Sequence, residues 1–107
     1  MTTNLLAQYG FLTTSSSGAT QLVAAVAGFR IIVSQVCVIT SAPNSVQFSG
    51  TVAGNISALF PLAANGGFVM PYSELGWMQT NIGDALIFNM SAGAQTGVQV
   101  VYALSSN

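Results

Sequence analysis

Residues 96–104 alternate on a two-residue period, with Val98, Val100, Tyr102 and Leu104 on one side and Gln99, Val101 and Ala103 on the other. Successive side chains of an extended chain point to opposite faces, so this pattern fits a half-buried β-strand. A helix would need apolar residues at i, i+3, i+4 and i+7, and no segment carries a convincing stripe of that kind. The chain therefore has to bury itself as strands. Further candidate strands lie at 20–26, 29–40 (the longest), 45–49, 55–62, 68–70, 77–80 and 84–90. Turn chemistry separates them: Ala27-Gly28, Pro43-Asn44, Gly50, Gly54, Ala64-Asn65-Gly66-Gly67, the loop 71–76, Asn81-Ile82-Gly83 and the small residues 91–95. About eight short strands broken by Gly-rich turns predict an all-β antiparallel sandwich or barrel.

Three local features sharpen this expectation. The run 29–40 sets Phe29, Ile31, Val33, Cys37 and Ile39 on one face and Arg30, Ile32, Ser34, Val36, Val38 and Thr40 on the other. Both faces are largely apolar, as in a strand covered on two sides. One face would pack the core and the other would meet another subunit or the N-terminal segment. Asn65-Gly66 suits a type I′ hairpin, whose two central residues both need positive φ. Pro61 near the end of 55–62 points to an edge strand or a strand terminus.

Residues 1–18 read as an N-terminal arm and linker, and 19–107 as the β-sandwich domain. In the arm, Leu5, Leu6, Tyr9, Phe11 and Leu12 need a surface to lie on, and the polar tract Thr13 to Gly18 follows them. That surface belongs to the same domain or to a neighbour; the alternative is a disordered terminus. The segment carries no Lys or Arg and no long apolar stretch, so it does not read as a signal peptide. The apolar region 22–33 is interrupted by Gly28 and Arg30 and is too short to span a bilayer as a helix.

Charge then narrows the function. Only 3% of the 107 residues are charged, namely Arg30, Glu74 and Asp84, and there is no Lys and no His. One Arg cannot displace counterions from several phosphates, which argues against nucleic acid as a partner. The same shortage argues against an anionic membrane surface. A surface with so little self-repulsion favours association. Without His or Lys, Ser-His and Ser-Lys nucleophiles, imidazole bases and Schiff bases are all excluded. The single cysteine, Cys37, allows no internal disulfide, lacks an imidazole partner, and reads as a small buried hydrophobe. Metal sites want more Cys, His or carboxylate ligands than the chain owns, so no metal and no cofactor is expected. Glu74 and Asp84 form a formal carboxylate pair, but they read as surface groups, with Asp84 stabilising a turn after Gly83. The chain is expected not to be an enzyme.

What remains is contact chemistry. Arg30, inside an apolar strand, would snorkel, pair with Glu74 or Asp84, or reach across a subunit interface. Tyr72 and Trp77 flank the polar loop Ser73-Glu74-Leu75-Gly76, where they plug one end of the sandwich, stack on a sugar or anchor a protein interface. The candidate interface residues are therefore Leu5, Leu6, Tyr9, Phe11, Arg30, Tyr72 and Trp77. The sequons Asn55-Ile56-Ser57 and Asn89-Met90-Ser91 match a short and common pattern and carry little weight.

The run Leu62-Ala63-Ala64-Asn65-Gly66-Gly67-Phe68-Val69, followed by Pro71-Tyr72 and Gly76-Trp77, resembles a small β-sandwich module of tailed-bacteriophage structural proteins. Ala27-Gly28-Phe29-Arg30-Ile31, Gly83-Asp84-Ala85-Leu86 and Val98-Gln99-Val100-Val101-Tyr102 extend the resemblance over about residues 19 to 104. It implies a jelly-roll-like, Greek-key fold in a capsid cement or decoration protein, with head and tail fibre modules similar. It further implies a homotrimer that is made in the host cytoplasm, sits on the outer capsid surface and bridges neighbouring major capsid proteins. The alternative within the same resemblance is a fibre or receptor-binding module recognising a host-surface carbohydrate. No catalytic residues carry over.

Overall fold

The computed structural model describes residues 8–106, which fold as two five-stranded antiparallel sheets with no helix among the described residues. The strands are β1 (Gln8–Thr14), β2 (Gly18–Val23), β3 (Arg30–Thr40), β4 (Asn44–Gly50), β5 (Gly54–Asn55), β6 (Phe60–Leu62), β7 (Gly67–Met70), β8 (Met78–Gln79), β9 (Leu86–Met90) and β10 (Thr96–Ser105). The first sheet runs β1-β10-β3-β7, with β8 also on β3; the second runs β2-β9-β4-β5, with β6 also on β4. The pairs nest: β1 with β10, β2 with β9, β3 with β7, and β4 with β6. A long antiparallel ribbon folded over so that its pairs nest across two sheets is a jelly roll.

The core follows from alternation on the inner faces. Val36 and Val38 of β3 and Val98 and Val100 of β10 face Val46 and Phe48 of β4 and Leu86, Phe88 and Met90 of β9, all buried. Phe48 and Phe88 pack with ring centroids 5.4 Å apart at 56°. Fully burying a side chain of this size contributes about 1.5–3 kcal/mol. Near the β3–β4 turn, buried polar groups satisfy one another. Asn44 Nδ2 donates to Thr96 Oγ1 at 3.2 Å, and Thr40 Oγ1 donates to the Ala42 carbonyl at 2.9 Å.

Three expectations change. Along β3 the ladder pairs Val101 with Gln35 but Tyr102 with Val33, so Ser34 is an extra residue. Such a bulge reverses every side chain beyond it. Ile31 and Val33 point inward before it; Val36, Val38 and Thr40 point inward after it; Cys37 and Ile39 point out. Cys37 is therefore exposed rather than a core thiol.

The Asn65-Gly66 turn is not a hairpin. Its two strands belong to different sheets, β6 on β4 and β7 on β3, so the turn carries the chain across the sandwich. Asn65 has φ 57° while Gly66 is outside the positive-φ region, and Gly66 N donates to Ala63 O at 2.9 Å. That is one left-handed residue at the third turn position, as in a type II turn, instead of two. The run 55–62 is likewise interrupted: Asn55 pairs with Ser49 and Phe60 with Val46, leaving more residues on this side than on β4.

The described part of the N-terminal arm is ordered against its own domain. Residues 8–14 form β1 and add an edge strand to β10, with Gln8 opposite Tyr102 and Thr14 opposite Thr96. Leu5 and Leu6 lie outside the described residues.

Candidate assembly surface

The outer face of the first sheet is built from the side chains that β1, β10, β3 and β7 point away from the core. Register aligns them in rows. One row is Phe11, Gln99, Cys37 and Val69; the next is Thr13, Gly97, Ile39 and Gly67; Tyr9, Val101 and Gln35 make a third. Phe11 is 76% exposed, Tyr9 72%, Val69 61% and Ile39 59%, so the large apolar members of these rows face outward. No member is charged. Because Gly97 has no side chain, a shallow groove of about 260 Å³ opens beside it, lined by Phe11, Thr13, Cys37, Ile39 and Gln99.

The second sheet's outer face is different in kind. Gln47 Nε2 donates to Ser57 O at 3.0 Å, Ser49 Oγ to Asn55 Oδ1 at 3.2 Å, and Asn89 Nδ2 to Gln47 O at 3.3 Å and also to Ser49 Oγ. These amides and hydroxyls bond to one another across the strands. Asn89, one of the two sequon asparagines, is committed to this network. One face thus carries a hydrogen-bonded polar network around Ile87, and the other is an uncharged, largely apolar surface of the kind that marks a contact site.

Tyr72 and Trp77 stand on the loop between β7 and β8. The bulge on β3 anchors that loop: Ser73 N donates to Ser34 O at 2.9 Å and Trp77 N to Val33 O at 2.7 Å. Trp77 Nε1 donates to Pro71 O at 2.7 Å and closes the loop on itself. Tyr72, Leu75 and Trp77 remain exposed, and so does Glu74. The loop therefore presents exposed apolar side chains beside Glu74 and is not a buried plug.

Arg30 begins β3, opposite Ser105, about 30 Å along the strand from the Ile39 row at ~3.3 Å per residue. Its Nε is buried without a hydrogen-bond partner among the described residues, and it forms no ion pair with Glu74 or Asp84. Asp84 is buried, not a surface group. Its Oδ2 accepts from Ala53 N at 2.9 Å and so holds the β4–β5 loop. The sequence predicts that this side chain stabilises the turn after Gly83; it instead holds the distant β4–β5 loop, while the 81–84 turn is closed by Asp84 N donating to Asn81 O at 3.1 Å.

No family model matches the sequence, and no curated protein matches it. Among solved structures, the chain is similar to the extra small virus (XSV) VLP of the giant freshwater prawn Macrobrachium rosenbergii, determined by cryo-EM. That likeness has 13% identity and a TM-score of 0.49, and covers 94% of this chain and 77% of that one. At such identity it concerns the fold alone.

Of the residues that the sequence singles out for an interface, Tyr9 and Phe11 share the apolar face, Tyr72 and Trp77 share the β7–β8 loop, and Arg30 stands at the far end of β3. Cys37, Ile39, Val69 and Gly97 are not among them, although they form the middle of the face. Their signal lies only in the pairing of β10 with β3 and β7, which a single strand's pattern does not contain.

Proposed function

We propose that the chain is a virion structural protein, a capsid cement or decoration protein that bridges neighbouring major capsid proteins and stabilises a phage head. The observation that carries this reading is a jelly roll with one outer sheet face that is apolar, uncharged and open, beside another that is polar and internally bonded. A protein that works by covering a neighbour needs such a face and needs no reactive group. Its mechanism is area: interfaces of about 800 Å² per partner, repeated around a symmetric assembly, add by avidity. The sequence resemblance to tailed-phage structural modules supports the finer assignment, including a place on the outer capsid surface. Co-sedimentation with heads assembled without the protein tests it. Wild-type chain should pellet with the heads, and Phe11→Glu should remain in the supernatant. A wild-type chain that never pellets would reject the assignment.

A second reading rests on Trp77. Its indole is pinned by Pro71 O while its ring stays about half exposed, at 48%, which preorganises a flat aromatic surface for stacking on a sugar. Glycan-array binding that Trp77→Ala abolishes would move the protein to a receptor-binding role. Binding that survives the substitution would dismiss that role.

A further inference from the structure

The apolar face of the first sheet is complementary to itself. The four strands that carry its three rows, β1-β10-β3-β7, have their midline between β10 and β3; the fifth strand of the sheet, β8, pairs with Ile32 and Val33 beyond those rows. A twofold axis parallel to the strands and lying on that midline turns the face onto a second copy. It exchanges β10 with β3 and β1 with β7, and keeps each row opposite its own row.

The registers then dictate what meets what. Ile39 comes opposite Gly97 of the second copy, so the aliphatic knob enters the gap that the glycine leaves. Thr13 comes opposite the second copy's Gly67, Cys37 opposite its Gln99, and Phe11 opposite its Val69. In the third row Val101 comes opposite the second copy's Gln35, a contact of unlike polarity, and Tyr9 has no β7 residue opposite it; each contact occurs twice, as an isologous interface requires. Two aligned sheets pack with their strands about 30° apart, which offsets the outer pairs by less than one row.

Charge and area agree with this occupant. Arg30, Glu74 and Asp84 all lie off the three rows, so two copies meet without repulsion or a buried ion. Seven residues on each of β1, β10 and β3 and the four of β7, at about 4.8 Å by about 3.4 Å each, span roughly 400 Å² in projection. Side-chain relief carries the accessible area toward the ~800 Å² per partner of a standard interface. We propose that two copies of the chain pair face to face through β1, β10, β3 and β7 about this twofold axis. The proposal rests on the reading of this face as the structural contact and names its partner: the bridge between capsid neighbours is a pair of cement chains.

A charge swap tests it by native mass spectrometry. Wild-type protein should give a pair near 2 × 11.0 = 22.0 kDa. Phe11→Glu and Val69→Lys should each give monomer, because each places an unpaired charge in the interface. The double variant should restore the pair, because the carboxylate introduced at position 11 then meets the ammonium introduced at position 69 of the other copy. Within one chain these positions sit on the two outer strands of the path, too far apart to satisfy each other, and both are exposed, so folding is not at stake. A wild-type monomer at all concentrations, a trimer near 3 × 11.0 = 33.0 kDa with no even species, or no rescue in the double variant would overturn the pairing. Chains that fail to pair yet still pellet with heads would leave the cement reading standing. Chains that pair but never pellet would sink the cement reading alone.

Discussion

At the residue scale the decisive positions are those where one atom has no alternative partner. Asp84 is buried and its carboxylate accepts the Ala53 amide at 2.9 Å, while a Cβ on Gly50 would lie 2.8 Å from the same Oδ2. A hydrogen bond to a charged group contributes about 1.5–3 kcal/mol, so Asp84→Ala should lower the unfolding free energy by about 2 kcal/mol in urea titration. Gly50→Ala should cost a comparable amount by displacing the carboxylate. The two losses should not add, because the second substitution removes a contact already gone. Full additivity would show that Gly50 matters for some other reason, such as its contact with Ala53. The sequence places Asp84 at a turn after Gly83, but neither its burial nor the loop it holds is legible there, because Ala53 and Gly50 approach it only after β4 and β9 have paired. Cys37 teaches the same lesson in reverse. Strict alternation from Ile31 and Val33 puts it inside, and one extra residue at Ser34 puts it outside.

At the scale of elements, the strands with clean alternation are the ones the sequence already discloses. Strand β10, expected at 96–104, spans Thr96–Ser105, and β9 and β4 fall within a residue or two of expectation. Short strands are less legible because their partners decide them. Strands β5 and β6 come from one expected run, split where Phe48 N donates to Ser57 Oγ and Ile56 N to Phe48 O instead of continuing the ladder. Strand β7 depends on a close approach rather than on its own propensity: a Cβ on Gly67 would overlap the Val38 carbonyl oxygen. Gly67→Ala should therefore push β7 off β3 and cost at least about 2 kcal/mol. For a domain of this size that is a fall of roughly 8 °C or more in Tm. A variant melting within a degree or two of wild type would mean that β7 contributes little to the sheet. Asn65-Gly66 misleads as a hairpin signal because dipeptide chemistry specifies a tight turn but not which sheet receives the next strand.

For the whole molecule, the scarcity of charge and the two unlike outer faces make one physical statement. A chain with three charged residues has almost nothing to screen, so its associations must rest on apolar area and on hydrogen bonds between uncharged groups. That assigns a direction to the effect of salt. Interfaces steered by ion pairs weaken as ionic strength rises and the Debye length shrinks to about 3 Å at 1 M. Apolar burial instead strengthens with sulfate, which is excluded from protein surface. Self-association through the first sheet, followed by sedimentation, should be nearly unchanged between low salt and 1 M sodium chloride and should tighten in ammonium sulfate. If sodium chloride dissociated the assembly, Arg30 would become the contact to pursue. Its guanidinium is the only cationic side chain in the sequence, and its Nε is buried without a hydrogen-bond partner among the described residues. Arg30→Ala would then abolish the salt dependence together with the assembly. If the sulfate response is seen and Arg30→Ala leaves it intact, the apolar rows centred on Cys37 and Ile39 hold the assembly.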